Sequence, residues 1–224
     1  MMIPMGSRPG IKIRAARPTT NPTAAKYKYV MFIILIGQIK LGKSIPDTGP
    51  HEKALRPANI FNRLRNLMDQ KTQFMKRAIA LSQSNMEKDA GGPFGAVIVK
   101  NGKIIGEGWN KVTSTNDPTA HAEVEAIRQA CQNLKTYDLS QCEIYASCEP
   151  CPMCLSAIYW ARISKIYFAN TKGDAAQIQF DDNFIYQEIS KPLTSRKIPS
   201  EQFLRDEALK VFKLWDQKTD KIRY

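Results

Sequence analysis

The side chains that most constrain this 224-residue chain are a histidine, a glutamate and two cysteines grouped between residues 118 and 162. Glu123 follows His121 by two positions, and Cys151 and Cys154 form a C-x-x-C pair. Imidazole and thiolate are preferred ligands of Zn²⁺, and a catalytic zinc site uses three protein ligands and leaves the fourth position to water. Glu123 is near enough to reach that water without binding the metal. The pattern therefore predicts that His121, Cys151 and Cys154 bind zinc and that Glu123 moves protons.

The histidine is expected in the first turn of a helix. Asp117 or Thr119 can cap this helix, and Pro118 is tolerated at its first position. Apolar residues recur at helical spacing over residues 126–134 and give the helix a face to bury.

The two cysteines are expected in the first turn of a second helix, which opens at Pro150. Cys151 and Cys154 are three positions apart, so both thiols point to one side of that turn. Residues 155–161 are apolar nearly all round, which predicts a buried helix. Two helix N-termini would then face the metal, and their partial positive charge favours thiolate over thiol.

A closed zinc site that only staples a non-catalytic interaction module is the alternative. It needs a fourth protein ligand, for which Cys148 and Cys142 are the candidates. We favour a catalytic site, because three ligands are accompanied by an ionisable Glu123 beside the open position.

The positive charge of the chain is concentrated before residue 71. The formal net charge is +12, but residues 1–70 carry 12 Lys and Arg against 3 Asp and Glu, whereas residues 71–224 carry 21 against 18. The part that holds the metal-binding motif is therefore close to neutral. This distribution disfavours a nucleic-acid-binding domain, although the total charge alone would favour one.

Residues 1–70 are predicted to be a basic leader outside the folded domain of residues 71–224. The leader is interpreted as a disordered tail, as sequence ahead of a true translation start at Met68, or as an organelle-targeting segment, which we favour least. Its apolar run, residues 30–36, is too short to cross a membrane. Because no apolar run is long enough to span a bilayer, we expect no membrane partner. Because the cysteines must stay reduced to bind metal, we expect a cytoplasmic protein.

Strands and helices alternate in the predicted domain. Asn101 and Gly102 form a strong type I′ hairpin signal between the first two strands. Interleaved elements of this kind predict an α/β fold, with a sheet covered by helices on both faces and the metal at the carboxyl ends of the strands. The predicted helices lie at 71–90, after 117, after 150 and at 204–218, and the predicted strands at 94–100, 103–109, 143–147 and 165–169.

Residues 72–224 resemble the bacterial-type guanine deaminases of the cytidine deaminase superfamily. The zinc motifs are typical of the whole superfamily of zinc nucleobase deaminases, whereas the Phe-Asp-Asp segment and the terminal Tyr224 point to guanine. From composition alone, the acidic pair of this segment, Asp181 and Asp182, would only cap a short helix that packs Phe184 and Tyr186. The resemblance rests on residues 91–96, 116–123, 147–154, 157–162 and 180–182 and on Tyr224.

The resemblance implies a fold and a reaction. It implies a cytidine-deaminase-like, three-layer helix–sheet–helix fold with a mixed sheet of about five strands and an exchanged C-terminal helical segment. It also implies hydrolytic deamination of guanine to xanthine and ammonia by a homodimer with one Zn²⁺ in each subunit. The substrate is then a small purine base and no nucleic acid. A tRNA adenosine deaminase, which shares the zinc chemistry, is the alternative enzyme.

The resemblance also implies roles for individual residues. Glu123 and Asp182 are expected to be catalytic, and Tyr224 would complete the pocket of the partner subunit. Asn110 and Asp182 would hydrogen-bond the purine, while Phe94 and Trp160 form apolar walls. The expected substrate-binding residues are Phe94, Asn110, Ala122, Trp160, Asp182 and Tyr224.

Overall fold

The computed structural model of the protein describes residues 57–223. Most of the predicted leader and Tyr224 lie outside these residues. The described helices are α1 (Pro57–Met86), α2 (Val112–Thr115), α3 (Ala122–Leu134), α4 (Pro152–Trp160), α5 (Lys172–Gln177), α6 (Asn183–Ser190) and α7 (Arg205–Gln217). The strands are β1 (Gly95–Lys100), β2 (Lys103–Trp109), β3 (Cys142–Cys148) and β4 (Lys165–Asn170), and a short 3₁₀ helix spans Leu193–Ser195.

The strands form one mixed sheet in the order β2-β1-β3-β4. β1 pairs antiparallel with both β2 and β3, and β3 pairs parallel with β4. The described residues thus contain four strands, and the expectation of about five was wrong. The chain leaves the sheet directly after β4, because Thr171 and Asp174 form a reciprocal capping box that starts α5.

The predicted hairpin between β1 and β2 is confirmed. Asn101 and Gly102 have φ angles of 51° and 73°, the left-handed conformation that a type I′ turn requires at both central positions. The pairing shifts between Ile98 and Val99, whose partners are Gly106 and Ile104, so that Ile105 bulges from β2.

The sheet is covered on both faces, which confirms the predicted helix–sheet–helix architecture. On one face, Ile98 and Ile144 pack with Ala126 of α3 and Ile158 of α4. On the other face, Val97, Val99 and Tyr145 pack with Leu81 of α1. Alternate residues of β1 and β3 therefore serve two separate apolar layers, as the side-chain alternation of a strand requires.

Helix α1 begins at Pro57, well before the boundary predicted at residue 71. Residues 62–70 are helical but exposed, whereas Ala78 and Leu81 are buried against the sheet. The boundary expected from composition therefore falls inside a helix, because helix formation continues beyond the last turn that packs on the domain.

Two predicted faces of the C-terminal half are not buried within one subunit. Helix α4 buries Cys154 and Ile158, but Tyr159 is 74% and Trp160 is 70% exposed, so the expectation of a fully buried helix was wrong. Helix α7, predicted at 204–218, leaves Phe212 71% exposed. Large apolar side chains that remain exposed are candidates for a protein–protein contact site. Among the described residues, no helix combines the length and the apolar character that crossing a membrane demands.

A chain that starts at Met68 should be as stable as the full-length chain. The side chains of residues 62–67 are exposed, so their removal leaves the packing of α1 on the sheet intact. We expect the melting temperature measured by scanning calorimetry to change by less than about 2 °C, which corresponds to less than about 1 kcal/mol for a domain of this size. A fall of several degrees would show that residues before Met68 pack on the domain.

Candidate active site

The metal-binding motif lies at the N-termini of two helices. His121 is the N-cap residue of α3 and Cys151 is the N-cap residue of α4, with Cys154 in the first turn. The predicted capping by Asp117 or Thr119 was wrong, because Asp117 accepts hydrogen bonds from the backbone N–H and hydroxyl of Thr119 at 2.8 and 2.7 Å and closes a turn before the helix. The second helix begins at Pro152 rather than at Pro150, since the chain is still extended at Cys151.

The three predicted ligands lie at distances that fit zinc. His121 Nδ1 is 3.6 Å from Cys151 Sγ and 3.5 Å from Cys154 Sγ. In a tetrahedral zinc site, sulfur at about 2.3 Å and nitrogen at about 2.1 Å from the ion are separated by about 3.6 Å. In the part of the chain that the structure describes, these three side chains are grouped closely enough to hold a metal ion.

The pKa values of the two thiols are shifted in opposite directions. A hydrogen bond from the thiol of Cys154 lowers the pKa of Cys151 to about 4. The same hydrogen bond, together with burial, raises the pKa of Cys154. The hydrogen bond of His121 to Cys151 raises the pKa of that imidazole. Cys151 is thus prepared as a thiolate, and a cation held by these residues would favour the thiolate form of Cys154 as well.

Glu123 lies inside the protein beside these ligands. The residue is 7% exposed, and Cys154 Sγ lies 3.4 Å from Glu123 Oε2. Burial raises the pKa of Glu123, because removal from water disfavours the charged carboxylate. A carboxyl group whose pKa moves toward neutrality can both take up and release a proton, as a general acid–base group must.

Cys148 and Cys142 do not complete a closed metal site. The Cys148 thiol points to the carbonyl of Thr171, with Sγ 3.6 Å from that oxygen. Burial raises the pKa of Cys148 to about 11, so this thiol is protonated at neutral pH. Cys142 lies at the opposite end of β3 in the apolar core. The described residues therefore offer three ligands and an open fourth position.

A cavity of about 390 Å³ opens beside the ligands. It has the size of a small-molecule site and combines apolar walls with a few polar groups. The lining residues come from the β1 entry, the 110–121 loop, the β3–α4 turn and the segment from α5 to α6: Gly92, Phe94, Asn110, Val112, Thr113, Pro118, His121, Glu123, Cys148, Glu149, Cys151, Lys172, Ala175, Gln179, Phe180, Asp181, Asp182 and Ile185.

Asn110 is held in one orientation by the backbone. It is buried, and its Oδ1 accepts hydrogen bonds from the N–H groups of Gly92 and Val112, both at 3.2 Å. Since a backbone N–H group can only donate, the carbonyl end of the side chain must face these two groups. The amide NH₂ is therefore left to donate toward the cavity that Asn110 lines.

Asp182 supplies an acceptor in the same cavity. It is the N-cap residue of α6 but makes no side-chain capping hydrogen bond, whereas Asp181 Oδ1 accepts from the backbone N–H of Asn183 at 2.9 Å. The capping interpretation of the acidic pair thus applies to Asp181 and not to Asp182. Burial and the negative charge of Cys151 raise the pKa of Asp182.

The apolar wall is a pair of aromatic rings. Phe94, which was predicted, packs edge to face with Phe180, with ring centroids 4.9 Å apart. Phe180 was not assigned to the site from the sequence, although it precedes the acidic pair in the quoted motif. The sequence also gave no indication that the cavity is lined by Lys172, Gln179 and Ile185. Nothing in their local pattern shows that α5 and α6 pack beside the metal ligands.

Three predicted substrate-binding residues do not reach this cavity within one described subunit. Trp160 is exposed and lies with Trp215 and Arg223 around a separate depression of about 500 Å³. Ala122 is buried next to Glu123 but is not part of the cavity lining. Tyr224 lies outside the described residues.

Known proteins share both the motif and the fold. A sequence profile of the cytidine and deoxycytidylate deaminase zinc-binding region matches residues 68–170. The guanine deaminase of Bacillus subtilis (strain 168) is 54% identical over 151 residues, which are 67% of this chain and 97% of that protein. An X-ray structure of guanine deaminase from Bacillus subtilis is 53% identical, with a TM-score of 0.67, and the match covers 68% of this chain and 98% of the other.

The similarity to tRNA deaminases is shorter. The tRNA-specific adenosine deaminase of Aquifex aeolicus is 44% identical over 99 residues, which are 44% of this chain and 65% of that protein. Segments that follow β4 supply seven of the 18 residues that line the cavity.

Replacement of individual cysteines should distinguish three ligands from four. We expect Cys154→Ser to lose most of its bound zinc, because a ligand of the tetrahedral set is weakened. The matched variant Cys148→Ser should keep wild-type zinc content, since its thiol faces Thr171. Zinc is measured by plasma mass spectrometry on gel-filtered protein. Loss of metal in Cys148→Ser would establish a closed four-ligand site instead.

Proposed function

This chain belongs to the guanine deaminase family of zinc-dependent deaminases, and we propose that it hydrolyses guanine to xanthine and ammonia. The proposal is carried by one observation: Glu123 lies beside a three-ligand zinc site at the end of a cavity sized for a small base. The cofactor is zinc, held by His121, Cys151 and Cys154.

Glu123 moves the protons of the reaction. Zinc, when bound, supplies a Lewis acid that makes water nucleophilic at neutral pH. Glu123 takes a proton from the attacking water and delivers it to the ring nitrogen beside C2 of guanine. The hydroxyl oxygen adds at C2, and Glu123 carries its remaining proton to the exocyclic nitrogen. The bond from C2 to that nitrogen then breaks, and ammonia leaves. Guanine and water are thereby converted to xanthine and ammonia, and the carboxylate of Glu123 is regenerated.

The polar groups of the cavity match guanine better than adenine. Asn110 is oriented to donate, and Asp182 offers a carboxylate acceptor. Guanine presents an O6 acceptor next to an N1–H donor along one edge, whereas adenine presents a donor next to an acceptor there. Adenine would therefore leave buried polar groups of the site unpaired, which costs about 1–3 kcal/mol for each group.

The other candidate functions fit less well. A tRNA adenosine deaminase needs a basic surface that follows a single strand, but residues 71–224 are close to neutral and Asp181 and Asp182 lie at the cavity. A non-catalytic zinc module needs neither a cavity beside the metal nor a buried Glu123.

We further propose a homodimer in which the C-terminal segment is exchanged. Tyr159 and Trp160 of α4 and Phe212 of α7 are exposed in one subunit, and burial of such side chains stabilises an interface by roughly 1.5–3 kcal/mol each. The proposed crossing would carry Tyr224 to the partner, where it would close the cavity over the base. Closure excludes water and strengthens the electrostatic interactions at the metal.

The proposed compartment is the cytoplasm. All five cysteines are free, and two of them must remain reduced to bind zinc. A reducing compartment preserves those thiols.

Ammonia release should identify the substrate and the role of Glu123 together. The purified enzyme is assayed with guanine, adenine, cytosine, guanosine and an adenosine stem-loop RNA, and we expect turnover of guanine. Glu123→Ala should retain zinc and fold but lose about 10²–10⁴-fold in kcat, the usual contribution of positioned acid–base catalysis. Wild-type turnover by the zinc-loaded variant would refute the assigned role, and preferred turnover of the RNA would refute the substrate.

Deletion of Lys221 to Tyr224 should test the closing tail. We expect zinc content and melting temperature to stay near wild type while guanine turnover falls at least about tenfold, because the cavity stays open to water. Unchanged turnover would show that the tail does not close the site.

Mixed dimers should test whether the tail is exchanged. A Glu123→Ala chain has an intact tail, and a tail-deleted chain has an intact site. If the tail crosses, a heterodimer of the two contains one complete site and regains activity after denaturation and refolding together. The two homodimers refolded separately serve as controls. Absence of regained activity in verified heterodimers would place each tail over its own site.

A further inference from the structure

The loop of residues 110–121 carries functional groups at both of its ends. Asn110 begins it and His121 ends it, and Val112, Thr113 and Pro118 line the cavity between them. The two ends are joined by one backbone hydrogen bond, from the N–H of Lys111 to the carbonyl of Ala120 at 2.9 Å. Closure of this loop therefore contributes to the position of Asn110 relative to the metal ligands.

Glu125 of α3 fastens the first end of the loop. Its Oε2 accepts a hydrogen bond from Lys111 Nζ at 2.8 Å, and the side chain of Glu125 is only 16% exposed. The same ammonium lies 4.6 Å from the ring centroid of Trp109, at the end of β2. Lys111 is therefore held between an anion and an aromatic ring, directly beside Asn110.

Glu125 also fastens the second end of the loop through Arg128. Glu125 Oε1 accepts from Arg128 Nη1 at 2.7 Å, and that nitrogen lies 3.8 Å from Asp117 Oδ2. Asp117 closes the turn that leads to His121. Burial alone would raise the pKa of Glu125, but hydrogen bonds from Lys111 and Arg128 outweigh it and keep the pKa below its ordinary value. One largely buried carboxylate therefore holds both loop ends.

We propose that Glu125 is a positioning residue that holds Asn110 at a fixed distance from the metal by tying both ends of the 110–121 loop to α3. Glu125 does not line the cavity and does not touch substrate. It acts on the loop that presents the substrate-binding amide, whereas His121 belongs to α3 itself as its N-cap residue. The inference rests on the proposed function, the deamination of guanine, in those tests that measure activity.

Glu125→Gln tests the proposal with little change in side-chain size. The amide has one acceptor oxygen, so Lys111 and Arg128 cannot both keep their partner, and one of them faces an NH₂ donor. We expect KM for guanine to rise about five- to tenfold and kcat to change less than about twofold, because ground-state positioning is lost and the proton-transfer group is not. Zinc content should remain at the wild-type level.

Hydrogen–deuterium exchange gives a readout that does not depend on turnover. Opening of the loop should speed exchange in peptides covering residues 110–121 in Glu125→Gln. The matched control is Glu107→Gln, which removes a bidentate ion pair with Arg77 at 2.8 and 2.6 Å that lies outside the cavity lining. In this control, exchange of residues 110–121 and KM should both match wild type.

Two results would overturn the proposal. The first is exchange of residues 110–121 and KM in Glu125→Gln that equal those of the Glu107→Gln control. The second is a loss of zinc and kcat with KM unchanged, which would place the effect of Glu125 on the metal helix. If the wild-type protein does not turn over guanine, the proposed function fails, and the exchange experiment alone decides the role of Glu125.

Discussion

The close contact between α3 and β2 is the constraint on which the site depends. A Cβ atom at Gly108 would lie 2.1 Å from the carbonyl oxygen of Ala122, and one at Gly106 would lie 2.4 Å from that of Ala126. Only glycine lets a helix backbone rest this near a strand. The contact fixes the position of the first turn of α3. It therefore also fixes where His121 and Glu123 lie relative to the thiols of Cys151 and Cys154, which follow β3.

The parts of the structure that short-range chemistry determines could be predicted from the sequence. The spacing of His121, Glu123 and the C-x-x-C pair indicated the metal group, and Asn101-Gly102 indicated the hairpin, because each signal lies within a few residues. The first residues of the helices were harder to predict. Asp117 is a residue type that often caps helices, but its carboxylate accepts hydrogen bonds from Thr119 instead. The chain is still extended at His121.

Features that depend on tertiary or quaternary contacts could not be predicted from pattern alone. The cavity wall formed by Phe180, Gln179 and Ile185 arises because α5 and α6 fold back over the metal, which no local periodicity encodes. The apolar sequence of α4 indicated burial correctly for Ile158, but a periodicity cannot say whether the neighbour that covers Trp160 is the same chain. The fifth strand was an inference from resemblance, and the capping box at Thr171 ends the sheet earlier.

The capping of the two site helices has a consequence for folding. Neither His121 nor Cys151 makes a side-chain capping hydrogen bond, although each occupies the position where such a bond contributes about 1 kcal/mol. Both side chains are directed to the metal group instead. A bound ion therefore joins two otherwise uncapped helix ends, so metal occupancy and the order of the first turns of α3 and α4 are thermodynamically linked. The residues that prepare the enzyme for chemistry make its local stability a function of zinc supply.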